Sequence, residues 1–245
     1  MKHLILIFAI SLTAYPQGAP SLSRLNSYRT APSARAEFEA LQRDTAQMYK
    51  ANKAPLSRLA WTSLAGPPTL YLAVRVQSLT ELNEPTWLSK QGTDLERTGR
   101  QMRLSRATES VDSRVLISIP QLAWDETPNS EPDAFAVVSV VRVKPGRVAA
   151  FTEATKELQS FTKQIGKAKS QNVQRVRFGG NSYEFHLITG YASLADIGTN
   201  NADQLRKLMG ETKYANYLKS NSENIESMET HLVRYRPEFS YMAGK

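Results

Sequence analysis

Two residues with acid–base chemistry, Glu184 and His186, stand two positions apart in the largely apolar run YEFHLIT, which begins at Tyr183. Alternate residues of a β-strand share one face, so a strand here would set the two side chains next to each other. A carboxylate beside an imidazole in an apolar setting can transfer a proton or orient a small ligand, because desolvation and mutual charge shift both titrations. The pair is therefore the first candidate site.

Two arginines on the preceding run extend this candidate site. Arg175 and Arg177 alternate with apolar residues in VQRVRF, so we expect both to lie on the polar face with Glu184. A purely structural alternative remains open. In that alternative, Glu184 pairs with one of these arginines across a hairpin, and His186 is a satisfied core or rim residue.

Composition argues against several other classes of site. The 245 residues include no cysteine and three histidines, which excludes a thiolate nucleophile and cysteine-based metal sites. The formal charge is +8, but the basic residues are spread along the sequence, so nucleic-acid binding is not expected. The sequence also has no glycine-rich phosphate loop, nucleophile elbow, HExxH motif or EF-hand loop. We predict no cofactor.

The first residues predict export. The stretch MKHLILIFAISLTA has a positive charge at Lys2, an unbroken apolar run from Leu4 to Ile10 and small residues after it, which is the pattern of a secretory signal peptide. We assign residues 1–19 to the signal, with the cleavage position left open, and expect a periplasmic or secreted protein. The apolar run is shorter than the roughly 20 residues of a membrane span. A buried N-terminal strand or helix is the alternative.

Three sequence blocks occur twice in the same order, which predicts a tandem duplication. The stretch YRTAPSARAEFEAL matches VRVKPGRVAAFTEA, VQSLTEL matches YASLADI, and ESVDSRVLISIPQLAW matches ESMETHLVRYRPEFSY. The spacing between matched blocks grows from 113 to 115 to 117 residues along the chain. We assign residues 22–120 to a first repeat, 121–133 to a proline-bearing linker and 134–241 to a second repeat.

Each repeat has the predicted element order β-α-β-β-α-β. In the second, FAVVSVVRV is rich in β-branched residues, an apolar stripe at helical spacing follows the turn KPG, and the turn GGNS joins two further strands. This order is the split βαβ, ferredoxin-like unit, whose antiparallel sheet has both helices on one face. The other face must be covered. We therefore predict an α+β fold in which two tandem sheets pack face to face as an intramolecular barrel.

Two matched stretches carry a family resemblance. LAWTSLAGPPTLYLAVRVQSLTEL and VRFGGNSYEFHLITGYASLADI, with prolines opening the first helix, resemble the dimeric α+β barrel superfamily, in particular NIPSNAP-like and antibiotic-biosynthesis-monooxygenase-like domains. The resemblance covers nearly all of the chain after the signal segment. It implies two ferredoxin-like sheets paired into a barrel, usually by dimerisation. It also implies activities from cofactor-free oxygenation and haem degradation to ligand binding without catalysis, so fold alone does not select a function.

The alignment also extends the candidate site into the first repeat. Tyr71 matches His186, and strand alternation places both residues, with Glu184, on the barrel side. The favoured function is a non-enzymatic module that binds a small hydrophobic or aromatic ligand or acts as an interaction module with a tendency to self-associate. The alternative is a cofactor-free monooxygenase-like or haem-handling enzyme that uses these three residues. Haem-degrading relatives carry their ligand histidine on a helix, which these strand positions do not match.

Overall fold

The computed structural model describes residues 20–76, 78–82, 87–125, 131–198 and 201–244. The predicted signal segment, residues 1–19, lies outside the described residues, as does the middle of the predicted linker. Within the described ranges, no helix combines the length and the apolar character that crossing a bilayer requires.

The first half of the chain forms one β-α-β-β-α-β unit. Its elements, in chain order, are β1 (Leu22–Arg29), α1 (Arg35–Ala51), β2 (Arg58–Ser63), β3 (Thr69–Val76), α2 (Asp94–Ala107) and β4 (Ser110–Ser118). Helix α2 begins with a capping box, in which the Thr93 hydroxyl accepts a hydrogen bond from the backbone of Glu96 and the Glu96 carboxylate accepts one from the backbone of Thr93.

The second half repeats this order, with its second helix divided in two. After a short strand β5 (Trp124–Asp125), its elements are β6 (Phe135–Val143), α3 (Val148–Ile165), β7 (Ala168–Phe178), β8 (Glu184–Tyr191), α4 (Asn201–Met209), α5 (Glu211–Asn224) and β9 (Ile225–Tyr235). Helix α3 is followed by Gly166, whose φ of 70° lies in the left-handed region that favours glycine.

The strands form one antiparallel sheet that closes on itself. Around the barrel the order is β4-β1-β3-β2-β9-β6-β8-β7, and β7 pairs with β4 to complete the ring. The two units meet at two seams, and each seam joins the last strand of one unit to the second strand of the other: β4 to β7, and β9 to β2. Closure of the ring satisfies the strand edges of both units. The predicted α+β fold with an intramolecular barrel is confirmed.

Each unit buries a core between the outer face of its strands and its helices. The first core includes Phe38 of α1 with Leu70 and Leu72 of β3. The second includes Phe151 of α3 and Phe185 of β8, whose ring centroids lie 5.0 Å apart. Because side chains alternate along a strand, the residues between these core positions on β3 and β8 face the barrel interior.

Two short segments cross from one unit to the core of the other. Leu122, in the 3₁₀ turn Pro120–Leu122 after β4, is fully buried in the core of the second unit. Phe239, in the 3₁₀ turn Pro237–Phe239 after β9, is fully buried in the core of the first unit. Each core is thus completed by a residue that follows the last strand of the opposite unit in sequence.

Candidate functional site

Tyr71 and His186 occupy equivalent places in the barrel wall. Tyr71 is paired with Ser27 across β3 and β1, and His186 is paired with Val140 across β8 and β6. Both side chains line a cavity of about 1850 Å³ inside the barrel. An eight-stranded barrel can hold a small ligand when bulky side chains do not fill it. The interior of this barrel therefore has room for one.

Glu184 and His186 form the predicted pair. The Nε2 atom of His186 lies 2.9 Å from Oε1 of Glu184. His186 is 4% exposed and Glu184 is 6% exposed. The hydrogen bond from His186 holds the pKa of Glu184 below its usual range; burial opposes this shift, and the charge of Arg114 reinforces it. Glu184 is thus an ionised acceptor near neutral pH.

The hydrogen bond to Glu184 selects the nitrogen of His186 that can accept a proton. Because the ionised Glu184 can only accept, Nε2 of His186 carries the hydrogen, and the lone pair of the neutral imidazole is on Nδ1. The Nδ1 atom makes no hydrogen bond within the described part of the chain, and His186 lines the cavity. A carboxylate that orients an imidazole in this way is the arrangement of a general base.

Arg114 of β4 completes this site from the other unit. Its guanidinium is ion-paired with Oε1 of Glu184 and donates a hydrogen bond to Oδ2 of Asp112 at 2.8 Å. Strand β7 separates β4 from β8, so the side chain passes over the end of β7. It does so beside Gly180, where an added Cβ would lie 3.7 Å from Cδ and Nε of Arg114. The arginine side chain therefore lies in ordinary van der Waals range of the turn GGNS.

Tyr71 of the first unit and His231 of the second form another pair on the cavity wall. The ring of His231, on β9, lies 6.2 Å from the ring of Tyr71 between centroids. Burial raises the pKa of Tyr71, so its phenol stays protonated near neutral pH and can donate a hydrogen bond. Thr69 occupies the place that Glu184 has in the second unit. The cavity thus has a histidine–carboxylate pair on one side and a phenol–imidazole pair on the other.

The two predicted arginines do not reach the cavity. The guanidinium of Arg175 lies 5.5 Å from the centroid of the Phe185 ring, on the side of the sheet that faces the helices. Arg177 is exposed and is not among the residues that line the cavity. The expectation that both would join the polar face is wrong, because the residue of β7 paired with His186 is Gln174, one position before Arg175.

Sequence reasoning missed Arg114 as the ionic partner of Glu184. The two residues are 70 positions apart in the chain and belong to different units, so no local pattern connects them. One signal was available: the alignment of the last strands matches Arg114 to His231, and both residues line the cavity. Trp61 of β2 also lines it, although its sequence context favours a core or interface position.

The described residues do not form a metal site of several side chains. Within the described ranges, no group of three or more histidine, aspartate and glutamate side chains could hold a metal ion. A haem iron needs only one imidazole, and a carboxylate that orients the imidazole, as Glu184 orients His186 on strand β8, is common around metal-bound histidines. The haem-handling alternative therefore stays a prediction.

Comparison with known proteins finds likeness in structure but not in sequence. No family model matches the chain, and no curated protein does. A provisionally assigned monooxygenase from Fusobacterium nucleatum has a TM-score of 0.64 and 14% identity, covering 89% of this chain and 93% of its own. A second such protein, from Lactobacillus acidophilus, has a TM-score of 0.60 and 13% identity, covering 92% and 97%. An anthrone oxidase-like protein has a TM-score of 0.60 and 13% identity, covering 92% and 94%.

At these identities the likeness establishes the fold alone. The narrower resemblance to NIPSNAP-like domains stays a prediction. The closed ring of eight antiparallel strands, built from two ferredoxin-like units, agrees with the resemblance that the sequence predicts. The chain therefore has the dimeric α+β barrel fold, with both halves of the barrel in one polypeptide.

Proposed function

We propose that the barrel interior binds a small aromatic molecule and that His186 accepts a proton from it. The observation that carries this proposal is the buried hydrogen bond between His186 and Glu184 on the wall of a cavity of about 1850 Å³. A fixed imidazole can orient a ligand in a binding module. It also meets the requirement of proton transfer for an acceptor nitrogen held in place beside the bound molecule.

The cavity walls favour a largely apolar ligand. Leu25, Trp61, Val138 and Ile188 line the cavity between its polar groups, and aromatic and aliphatic walls with a few fixed polar groups are typical of small-molecule sites. Ligand pockets commonly have volumes of about 300–1,000 Å³. The interior thus accommodates a ligand of two or three fused rings together with water.

The proposed step moves one proton. The Nδ1 atom of His186 takes a proton from an acidic C–H or O–H group of the bound molecule, and the electron pair of that bond remains on the ligand. The imidazolium that forms is stabilised by the Glu184 carboxylate, which stays ionised. The Tyr71 phenol can donate a hydrogen bond to an oxygen of the resulting anion. Solved structures of this fold include provisionally assigned monooxygenases, and an acid–base site inside the barrel is in keeping with that description.

Anthrone is a suitable probe, because its methylene group carries acidic protons between aromatic rings. We expect the protein to accelerate exchange of these protons for deuterium, measured by NMR, and His186→Ala to lower the rate by at least about 100-fold. Arg177→Gln, which changes an exposed side chain outside the cavity, serves as the matched control and should keep the rate.

Two outcomes would redirect the proposal. Binding of anthrone with equal affinity by the protein and by His186→Ala, without accelerated exchange in either, would favour the non-enzymatic ligand-binding module. A rate of exchange that is unaffected by His186→Ala would rule out this residue as the base.

A further inference from the structure

We propose that Arg114 is a positioning residue: it holds the Glu184 carboxylate so that Nδ1 of His186 is presented to the cavity, and it can do so only across the closed seam between β4 and β7. This inference rests on the proposed function and assigns the second unit's base a partner from the first unit. The proton-accepting pair is then a property of the complete barrel and not of either unit.

Two donors meet at a single carboxylate oxygen of Glu184. His186 and Arg114 both contact Oε1 of Glu184, one from the same strand and one from across the seam. The Glu184 side chain is 7% exposed, and a buried carboxylate that loses a charged partner must find compensation or take up a proton. Two donors from different directions fix both the charge and the orientation of the carboxylate.

At this seam β4 approaches the turn after β7 closely beside Arg114. Next to Arg114, the backbone oxygen of Ser113 lies so near Gly179 that an added Cβ there would be 2.4 Å away. At Gly180 an added Cβ would be at ordinary contact distance from the Arg114 side chain, 3.7 Å, so the turn lies directly beside the arginine. Asp112 holds the guanidinium by a hydrogen bond of 2.8 Å. The close approach at Gly179 thus fixes the spacing between β4 and this turn at the residue before the arginine.

Other charged groups around this site are less suited to positioning the Glu184 carboxylate. Arg142 on β6 is paired in register with Glu184 but makes no ion pair among the described residues, and its influence on the pKa of Glu184 is smaller than that of Arg114. Glu229 and His231 line the cavity from β9. On β7, the residue facing the site is the neutral Gln174. Arg142 is thus the matched comparison for Arg114, with the same charge near the same carboxylate and no direct contact.

The test compares Arg114→Gln with Arg142→Gln in the full-length protein without ligand. Carboxyl ¹³C NMR follows the titration of Glu184, and ring ¹⁵N shifts report which nitrogen of His186 carries the hydrogen. For Arg114→Gln we expect the Glu184 titration to move to higher pH and the Nε2–H tautomer of His186 to give way to a mixture. For Arg142→Gln we expect the wild-type tautomer and a smaller change in the titration.

Kinetics with anthrone add an independent measurement. A positioning role predicts that Arg114→Gln lowers kcat at least about tenfold and changes KM less, since the residue acts on the proton-accepting pair. Wild-type titration and tautomer in Arg114→Gln would overturn the proposal. If the wild-type protein does not act on anthrone, the NMR measurements still decide the role of Arg114, so failure of the proposed function and failure of this inference are distinguishable.

A variant that keeps the positive charge provides a second test if Arg114→Gln does not fold. Should Arg114→Gln not fold, Arg114→Lys retains the positive charge but lacks the planar fork that contacts Asp112 and Glu184 together. We expect it to fold and to show an intermediate shift of the Glu184 titration. A Lys variant that is identical to wild type in titration and tautomer would overturn the specific role of the arginine.

Discussion

Arg114 on β4 and Glu184 on β8 are ion-paired although β7 lies between their strands. The contact is possible because the arginine passes over the turn that follows β7 at Gly180. It connects the two units at the place where the barrel closes. The same ion pair therefore belongs both to the seam and to the candidate site.

Acidification should remove a stabilising contribution from Glu184. The pKa of this carboxyl is lower in the folded protein than its usual value, because His186 donates a hydrogen bond to it and Arg114 is nearby. A group with a depressed folded pKa stabilises the protein above its unfolded pKa, and this contribution is lost as the pH falls through the folded pKa. We expect the free energy of unfolding, from urea denaturation, to fall less between about pH 6 and pH 3 in Glu184→Gln than in wild type. Equal decreases would contradict this assignment.

Substitution of Gly179 should open the seam. Gly179 and Gly146 have similar positive φ angles, 80° and 77°, so alanine is strained at both by about 1 kcal/mol. An added Cβ meets nothing within 4 Å at Gly146, but lies 2.4 Å from the Ser113 backbone oxygen at Gly179. We expect Gly179→Ala to lower the free energy of unfolding clearly more than Gly146→Ala. Similar losses in the two variants would show that the seam can adjust.

Truncation of Leu122 or of Phe239 should destabilise the unit whose core contains that side chain. We expect Leu122→Ala to cost about 2–5 kcal/mol and Phe239→Ala about 3–5 kcal/mol, because both leave cavities in otherwise closed cores. The measurement is urea denaturation, with the exposed Leu95→Ala as control. A loss below 1 kcal/mol in either variant would mean that the turn does not anchor the opposite unit.

The second unit expressed alone, residues 133–245, should form a homodimer. Without the first unit, β7 and β9 lose their seam partners and the inner face of the sheet is uncovered. We expect β9 of each copy to pair with β7 of the other, and Phe239 of each copy to fill the place that Leu122 has in the full chain. Light scattering coupled to size exclusion measures the mass. A stable monomer, or a dimer unaffected by Phe239→Ala, would contradict this arrangement.

Much of the fold was predictable because its signals are local or repeated. The β-branched run of β6, the apolar stripe of α3 and the glycine turn between β7 and β8 each reflect a backbone preference of a few neighbouring residues. The alignment of the two halves adds a long-range constraint, because matched strands must have matched faces. On that basis the sequence predicts equivalent inward positions for Tyr71 and His186, and the strand pairing places them there.

Alternation alone does not predict which residues of β7 face the barrel interior. Arg175 and Arg177 alternate with apolar residues, and the pattern does not say which set faces the barrel, because polar side chains are acceptable both at an exposed outer surface and inside a cavity. The pairing of Gln174 with His186 decides it. Arg175 instead lies over the Phe185 ring on the outer face.

The element order and the side-by-side placement of Glu184 and His186 follow from the amino-acid sequence, since they depend on spacing within single chain segments. The open barrel interior, the crossing of Leu122 and Phe239 between the units, and the contact of Arg114 with Glu184 appear only in the folded chain. These features depend on which strands meet when the ring closes. That closure is set by the packing of two sheets over the whole chain, and no short stretch of sequence encodes it.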